Sequence, residues 1–79
     1  MLYILNSTTK AAKVHFFQDR IHKEMNSMFV RWVGTETETT LLMNDGSSIK
    51  MTVEGSIMPI HDARRIWERL VENGWNRHE

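Results

Sequence analysis

Three side chains in the N-terminal half of the chain are of types that bind metal ions. His15, Asp19 and His22 are spaced at i, i+4 and i+7, so an α-helix would place them in one stripe. Two imidazoles and a carboxylate on one face are ligands that zinc or iron accepts. However, the chain has no cysteine to supply a thiolate ligand. A solvated polar face is the simpler interpretation, and we predict no metal site and no other cofactor.

Basic side chains are frequent in the C-terminal part of the chain. Arg64, Arg65 and Arg69 alternate with Glu68 and Glu72, a pattern typical of the salt-bridged outer face of a helix. The alternative is a surface that contacts the phosphates of single-stranded nucleic acid. The residues of this alternative interface are Arg31, Lys50, Arg64, Arg65, Arg69 and Arg77. Lys+Arg and Asp+Glu are equal at ten each, which argues against binding driven by bulk charge.

The motifs of common enzyme classes are missing from the sequence. No serine or threonine lies in a nucleophile elbow, and no glycine-rich loop is of the phosphate-binding type. The four glycines are explained by turns and a helix end. We therefore predict a protein that is not an enzyme.

Length and composition limit the architecture. The 79 residues predict a single domain, 1–79, with a modest core and no disulfide to support it. No apolar run is long enough to span a membrane, and the apolar start of the chain lacks the basic region of a signal peptide. The sequence thus predicts a cytoplasmic protein with no membrane contact.

The C-terminal part of the chain predicts an amphipathic helix. Its apolar face is formed by Ile60, Ala63, Trp67 and Leu70, with Ile66 and Val71 widening it. Pro59 suits the first helical position, and Gly74 suits the left-handed residue that ends a helix. Trp75 is then expected to fold back onto Leu70.

The N-terminal part allows two interpretations. Residues 2–5 predict a short strand, and Ser7, Thr8 or Thr9 suits the N-cap of a following helix. Five apolar residues are spaced as on one face of a helix, namely Val14, Phe17, Ile21, Met25 and Met28. This stripe favours a helix over residues 8–25. The alternative is a strand through residues 13–18, which are rich in β-formers.

Three further strands are predicted over residues 28–33, 37–43 and 48–54. The Asn-Asp-Gly sequence at 44–46 suits a three-residue hairpin loop, which places Leu41 opposite Ile49 and Thr39 opposite Met51. Gly34 and Thr35 suit a type II′ turn. That turn places Trp32 opposite Thr37, Val30 opposite Thr39 and Arg31 opposite Glu38.

Together these patterns predict a two-layer α+β fold in the order β-α-β-β-β-α. Its sheet is a small antiparallel three-stranded meander, with residues 2–5 as a candidate fourth strand and both helices on one face. The covered face is formed by Met28, Val30, Trp32, Leu41, Ile49, Met51 and Val53. The turns between the strands determine this division of the side chains.

The same register leaves Phe29, Val33 and Leu42 on the uncovered face, beside Arg31. Scattered apolar side chains are ordinary on a surface, and that interpretation stays open. The alternative is a contact surface for another protein or for a second copy of the chain, on the open face or at a sheet edge. We predict a small non-enzymatic protein-binding module, with single-stranded nucleic-acid binding as the alternative function.

The segment from Asp62 to Trp75 resembles the closing helix of small uncharacterised proteins of marine cyanobacteria and their phages, and the hairpin loop at 44–46 is similar to theirs. The similarity covers about a third of the chain. It implies at most an accessory protein that acts on host machinery, and such a protein could be encoded by a phage. It implies no catalytic or binding residue.

Overall fold

The computed structural model describes residues 1–78 and has two helices and several short strands. The elements are β1 (Leu2–Asn6), β2 (Lys13–Phe17), α1 (Arg20–Glu24), β3 (Ser27–Val33), β4 (Glu38–Leu42), β5 (Ser48–Thr52), β6 (Ser56–Pro59), α2 (Ile60–Glu72) and β7 (Asn76–Arg77). The predicted α+β class is confirmed, whereas the order of elements is β-β-α-β-β-β-β-α-β. Within residues 1–78, no helix has the length and apolar character needed to cross a bilayer.

The main sheet has five strands in the order β6-β3-β2-β1-β7, and all its pairs are antiparallel. Strands β4 and β5 form a separate hairpin. In this hairpin Leu41 pairs with Ile49 and Thr39 with Met51, so the predicted register is confirmed. Gly46 has φ 88°, the left-handed conformation that the predicted loop requires.

The C-terminal helix ends as its sequence predicts. Gly74 has φ 93°, its backbone N–H donates to the Val71 carbonyl, and that of Trp75 donates to the Leu70 carbonyl, both at 3.0 Å. These two bonds form a Schellman ending. The helix begins one residue later than predicted, so Pro59 is its N-cap rather than its first helical residue. The missing N–H of proline is also harmless at the N-cap.

One hydrophobic cluster joins the main sheet, the hairpin and α2. Val30 and Trp32 of β3 are 3% and 2% exposed, and α2 contributes Ile66 and Leu70 to the same cluster. All residues predicted for the covered face belong to this cluster or pack against it. The predicted phase of the strands is therefore confirmed.

The predicted helix over residues 8–25 is wrong. Residues 13–17 form β2, in which Val14 and Phe16 are buried, and only Arg20–Glu24 is helical. The apolar stripe that suggested the long helix is divided between the two elements, so Ile21 and Met25 of the α1 region are 64% and 67% exposed. Because α1 has no buried residue, it does not cover the sheet face together with α2.

The predicted pairing of β3 with β4 is also wrong. Strand β3 lies between β2 and β6, and Arg31 pairs with His15 rather than with Glu38. The pairing with β2 aligns Val14 with Trp32, a buried cross-strand contact between large apolar side chains. The threonine-rich β4 offers no comparable partner, which explains why β3 pairs with β2.

Candidate functional site

The uncovered face of the main sheet carries a continuous row of apolar side chains. The register aligns Leu2 with Phe17, Phe17 with Phe29, and Phe29 with Ile57, across the four strands β1, β2, β3 and β6. Leu2, Phe17 and Ile57 are 52%, 36% and 62% exposed. We refer to these four residues as the apolar row. A contiguous apolar strip of this kind is typical of a contact surface.

Basic side chains lie beside the apolar row on the same face. Arg31 pairs with His15 in the next row of side chains, and Lys13 pairs with Val33 beyond it. None of the five strands contains aspartate or glutamate. The pKa of His15 is lowered by burial and then by the positive charges of Arg31 and Lys13. The charged side chains that the five strands themselves contribute are therefore all basic, although the chain as a whole is neutral.

A glycine holds the Phe29 ring in position. Gly55 has φ +83°, and a Cβ built on it would lie 2.2 Å from Cε2 of Phe29. The ring therefore lies directly against the Gly55 backbone at the start of β6. Only glycine fits this position, because the backbone conformation disfavours other residues and the ring occupies the space of a side chain.

The short helix α1 borders the apolar row. Asp19 accepts a hydrogen bond from the His22 backbone N–H at 2.8 Å, and the His22 side chain accepts one from the Asp19 backbone N–H at 3.4 Å. This capping box begins the helix. The His22 ring packs at 88° to the Phe17 ring, with 6.0 Å between centroids.

The candidate metal ligands are divided by the fold. Asp19 and His22 lie together in the capping box, whereas His15 lies on β2 and faces Arg31. Within residues 1–78 there is no group of three His, Cys, Asp or Glu side chains arranged to hold an ion. The helix that would have aligned the three candidates does not form.

The predicted contact residues are only partly brought together. Phe29, Arg31 and Val33 share the open face of β3. Leu42, which is 59% exposed, lies on the separate β4–β5 hairpin. Leu2, Phe17 and Ile57 of the apolar row were not predicted. The alternation of Lys13, His15 and Phe17 with buried residues was the available signal for Phe17.

The residues of the predicted nucleic-acid interface do not form one surface. Arg69 donates to the Leu42 carbonyl and to Oδ1 of Asn44, both at 2.7 Å, and Arg65 is 3.3 Å from Asp45. These bonds attach the hairpin to α2. Lys50 forms an ion pair with Glu38 within the hairpin at 3.3 Å. Arg31 on the open face, and Arg64 and Arg77 elsewhere, are separate from this set.

Comparisons with protein-family models, with curated proteins and with solved structures gave no significant match to this chain.

Proposed function

We propose that the chain is a non-enzymatic protein-binding module whose contact surface is the open face of the five-stranded sheet. The observation that carries this proposal is the apolar row, which crosses four strands and is substantially exposed at Leu2, Phe17 and Ile57. Burial of this row against a partner would remove a large apolar area from water, which is the main favourable term in protein association.

The charge of the open face favours an acidic partner over a second copy of the chain. Arg31 and Lys13 lie in the next two rows of side chains on one side of the apolar row, and none of the five strands supplies a carboxylate. Two copies packed through this face would bring the basic side chains of these strands together, and the strands offer no acidic side chain to pair with them; Asp19 lies at the border of the face, in the capping box of α1. A partner with an apolar strip and adjacent carboxylates complements both features.

The edges of the five-stranded sheet support binding less well than its open face. One edge strand, β7, has two residues, and the other, β6, has four and ends at Pro59, which lacks a backbone N–H. Short edges offer few main-chain hydrogen bonds to an added strand. We therefore place the contact on the face.

The test compares two exposed apolar residues on different surfaces. Ile57, in the apolar row, and Leu42, on the hairpin, are 62% and 59% exposed, so Ile57→Lys and Leu42→Lys alter the folded monomer to a similar degree. Each form of the chain is used to capture proteins from an extract of the native cell, and the captured proteins are quantified by mass spectrometry. One or more acidic proteins are expected with the unsubstituted chain and with Leu42→Lys, but not with Ile57→Lys. Identical capture by Ile57→Lys and the unsubstituted chain would contradict the proposal.

A second candidate function is supported by the neighbouring aromatic residues. Phe17 and Phe29 are paired on the adjacent central strands β2 and β3, with Arg31 and Lys13 on the same face. Aromatic rings on which bases stack, next to cations that contact phosphates, are the elements of a surface for single-stranded nucleic acid. This interface differs from the predicted one because only Arg31 belongs to both.

Fluorescence anisotropy with a labelled single-stranded oligonucleotide separates the two functions. Binding at low salt that weakens as salt rises, and that weakens further with Arg31→Gln but not with Lys50→Gln, supports nucleic-acid binding. No change in anisotropy at low salt removes this candidate and leaves protein binding.

A further inference from the structure

A groove lies on the opposite side of the main sheet, between α2 and the strands β1, β2, β3 and β7. Its volume is about 490 Å³, which is within the range of small-molecule sites. Three aromatic rings line it, those of Tyr3, Phe16 and Trp67. The Trp67 ring packs edge-on against the other two, at centroid distances of 5.1 Å to Phe16 and 6.3 Å to Tyr3.

The polar side chains of the groove are mostly basic. Arg64 and Arg77 both line it, together with the single carboxylate of Glu68. The guanidinium carbon of Arg77 lies 5.2 Å from the centre of the Tyr3 ring. Within residues 1–78, neither arginine forms an ion pair, and this distinguishes them from Arg65 and Arg69.

We propose that this groove binds a small aromatic anion, that is, a planar ring bearing a carboxylate or a phosphate. The three rings provide edge-to-face contacts for the planar part of the ligand. The two guanidinium groups match the geometry of carboxylate and phosphate oxygens, to which they donate paired hydrogen bonds. This site is on the opposite side of the sheet from the apolar row, so it does not depend on the proposed protein-binding function.

Titration of the full chain with two probes tests the site and separates the sources of such an anion. Indole-3-acetate represents aromatic carboxylates and adenosine 5′-monophosphate represents nucleotides, with indole and adenosine as the matched neutral compounds. In ¹⁵N-resolved spectra, at least one anion is expected to shift the indole N–H signal of Trp67 in a saturable way. The indole N–H of Trp32 is the internal control, because it donates to the Glu36 carbonyl at 3.2 Å away from the groove.

Charge variants test the role of the arginines. Arg64→Gln and Arg77→Gln are each expected to weaken binding of the anion about fivefold, because each removes one guanidinium from a solvent-accessible pair. Glu68→Gln is expected to strengthen it about twofold by removing the like charge. Lys13→Gln, on the open face, is the control and is expected to leave the affinity unchanged.

Three results would overturn this proposal: no shift of Trp67 with either anion, equal affinity for the neutral compounds, or unchanged affinity in both arginine variants.

Discussion

The two faces of the five-stranded sheet both carry large apolar side chains, but α2 and the hairpin cover only one of them. The consecutive residues Phe16 and Phe17 show the difference, because Phe16 is 2% exposed beneath α2 and Phe17 is 36% exposed on the open face. Alternation along β2 produces this contrast without any change of residue type. It separates side chains that hold the fold together from side chains that remain available for contact.

The largest effect is therefore expected from the covered face. Phe16→Ala is expected to reduce the free energy of unfolding by about 3–5 kcal/mol, because it removes a buried ring and leaves a cavity. Phe17→Ala is expected to cost about 1–2 kcal/mol, because its ring is 36% exposed and loses only part of its apolar contacts. Urea unfolding followed by circular dichroism measures both. Similar losses for the two variants would show that the open face is also part of the core.

A smaller effect is expected at Gly55, whose backbone lies against the Phe29 ring of the open face. Gly55→Ala is expected to cost about 2–3 kcal/mol, since it combines a left-handed backbone with displacement of the Phe29 ring. Gly46→Ala is the matched control. Its φ is +88°, close to +83° at Gly55, but no atom lies within 4 Å of the added Cβ, so only the backbone cost of about 1 kcal/mol is expected. Equal losses would mean that the Phe29 ring moves aside freely.

The features that were predicted correctly depend on residues close together in the chain. The Schellman ending at Gly74 and the hairpin register around Gly46 each follow from a few consecutive residues. The burial of Val30 and Trp32 follows from alternation along one strand. These features do not depend on which strand becomes the neighbour.

The features that were missed depend on pairing between distant parts of the chain. Strand β2 was hidden because Val14, Phe17 and Ile21 are also spaced as on a helix, and periodicity alone does not decide between the two. Phe29 was placed on the open face through a predicted pairing of β3 with β4 that does not form, and the placement holds because side chains alternate along β3 whichever strand is its neighbour. Its neighbours Leu2 and Ile57 come from opposite ends of the chain, so the apolar row exists only once the strand order is known.

The smallest effect is expected from the charges of the open face. Burial, then Arg31, then Lys13 lower the pKa of His15 below its ordinary value of 6.5. Because the folded-state pKa is below the unfolded one, the folded state binds fewer protons over the interval between them. The folded state therefore gains stability from keeping His15 neutral. This contribution to the free energy of unfolding is fully present above pH 6.5 and is lost as the pH falls through the lowered pKa of His15.

Arg31→Gln is expected to raise the pKa of His15 towards 6.5, and Lys13→Gln to raise it by less, following the order of their contributions. Titration of the His15 ring protons by NMR measures both changes, with Lys50→Gln on the hairpin as the control. An unchanged pKa in Arg31→Gln would mean that the guanidinium does not act on the imidazole, and the positive charge assigned to this face would lose its support. A raised pKa would confirm that the positive charge of Arg31 reaches the imidazole of His15 beside the apolar row.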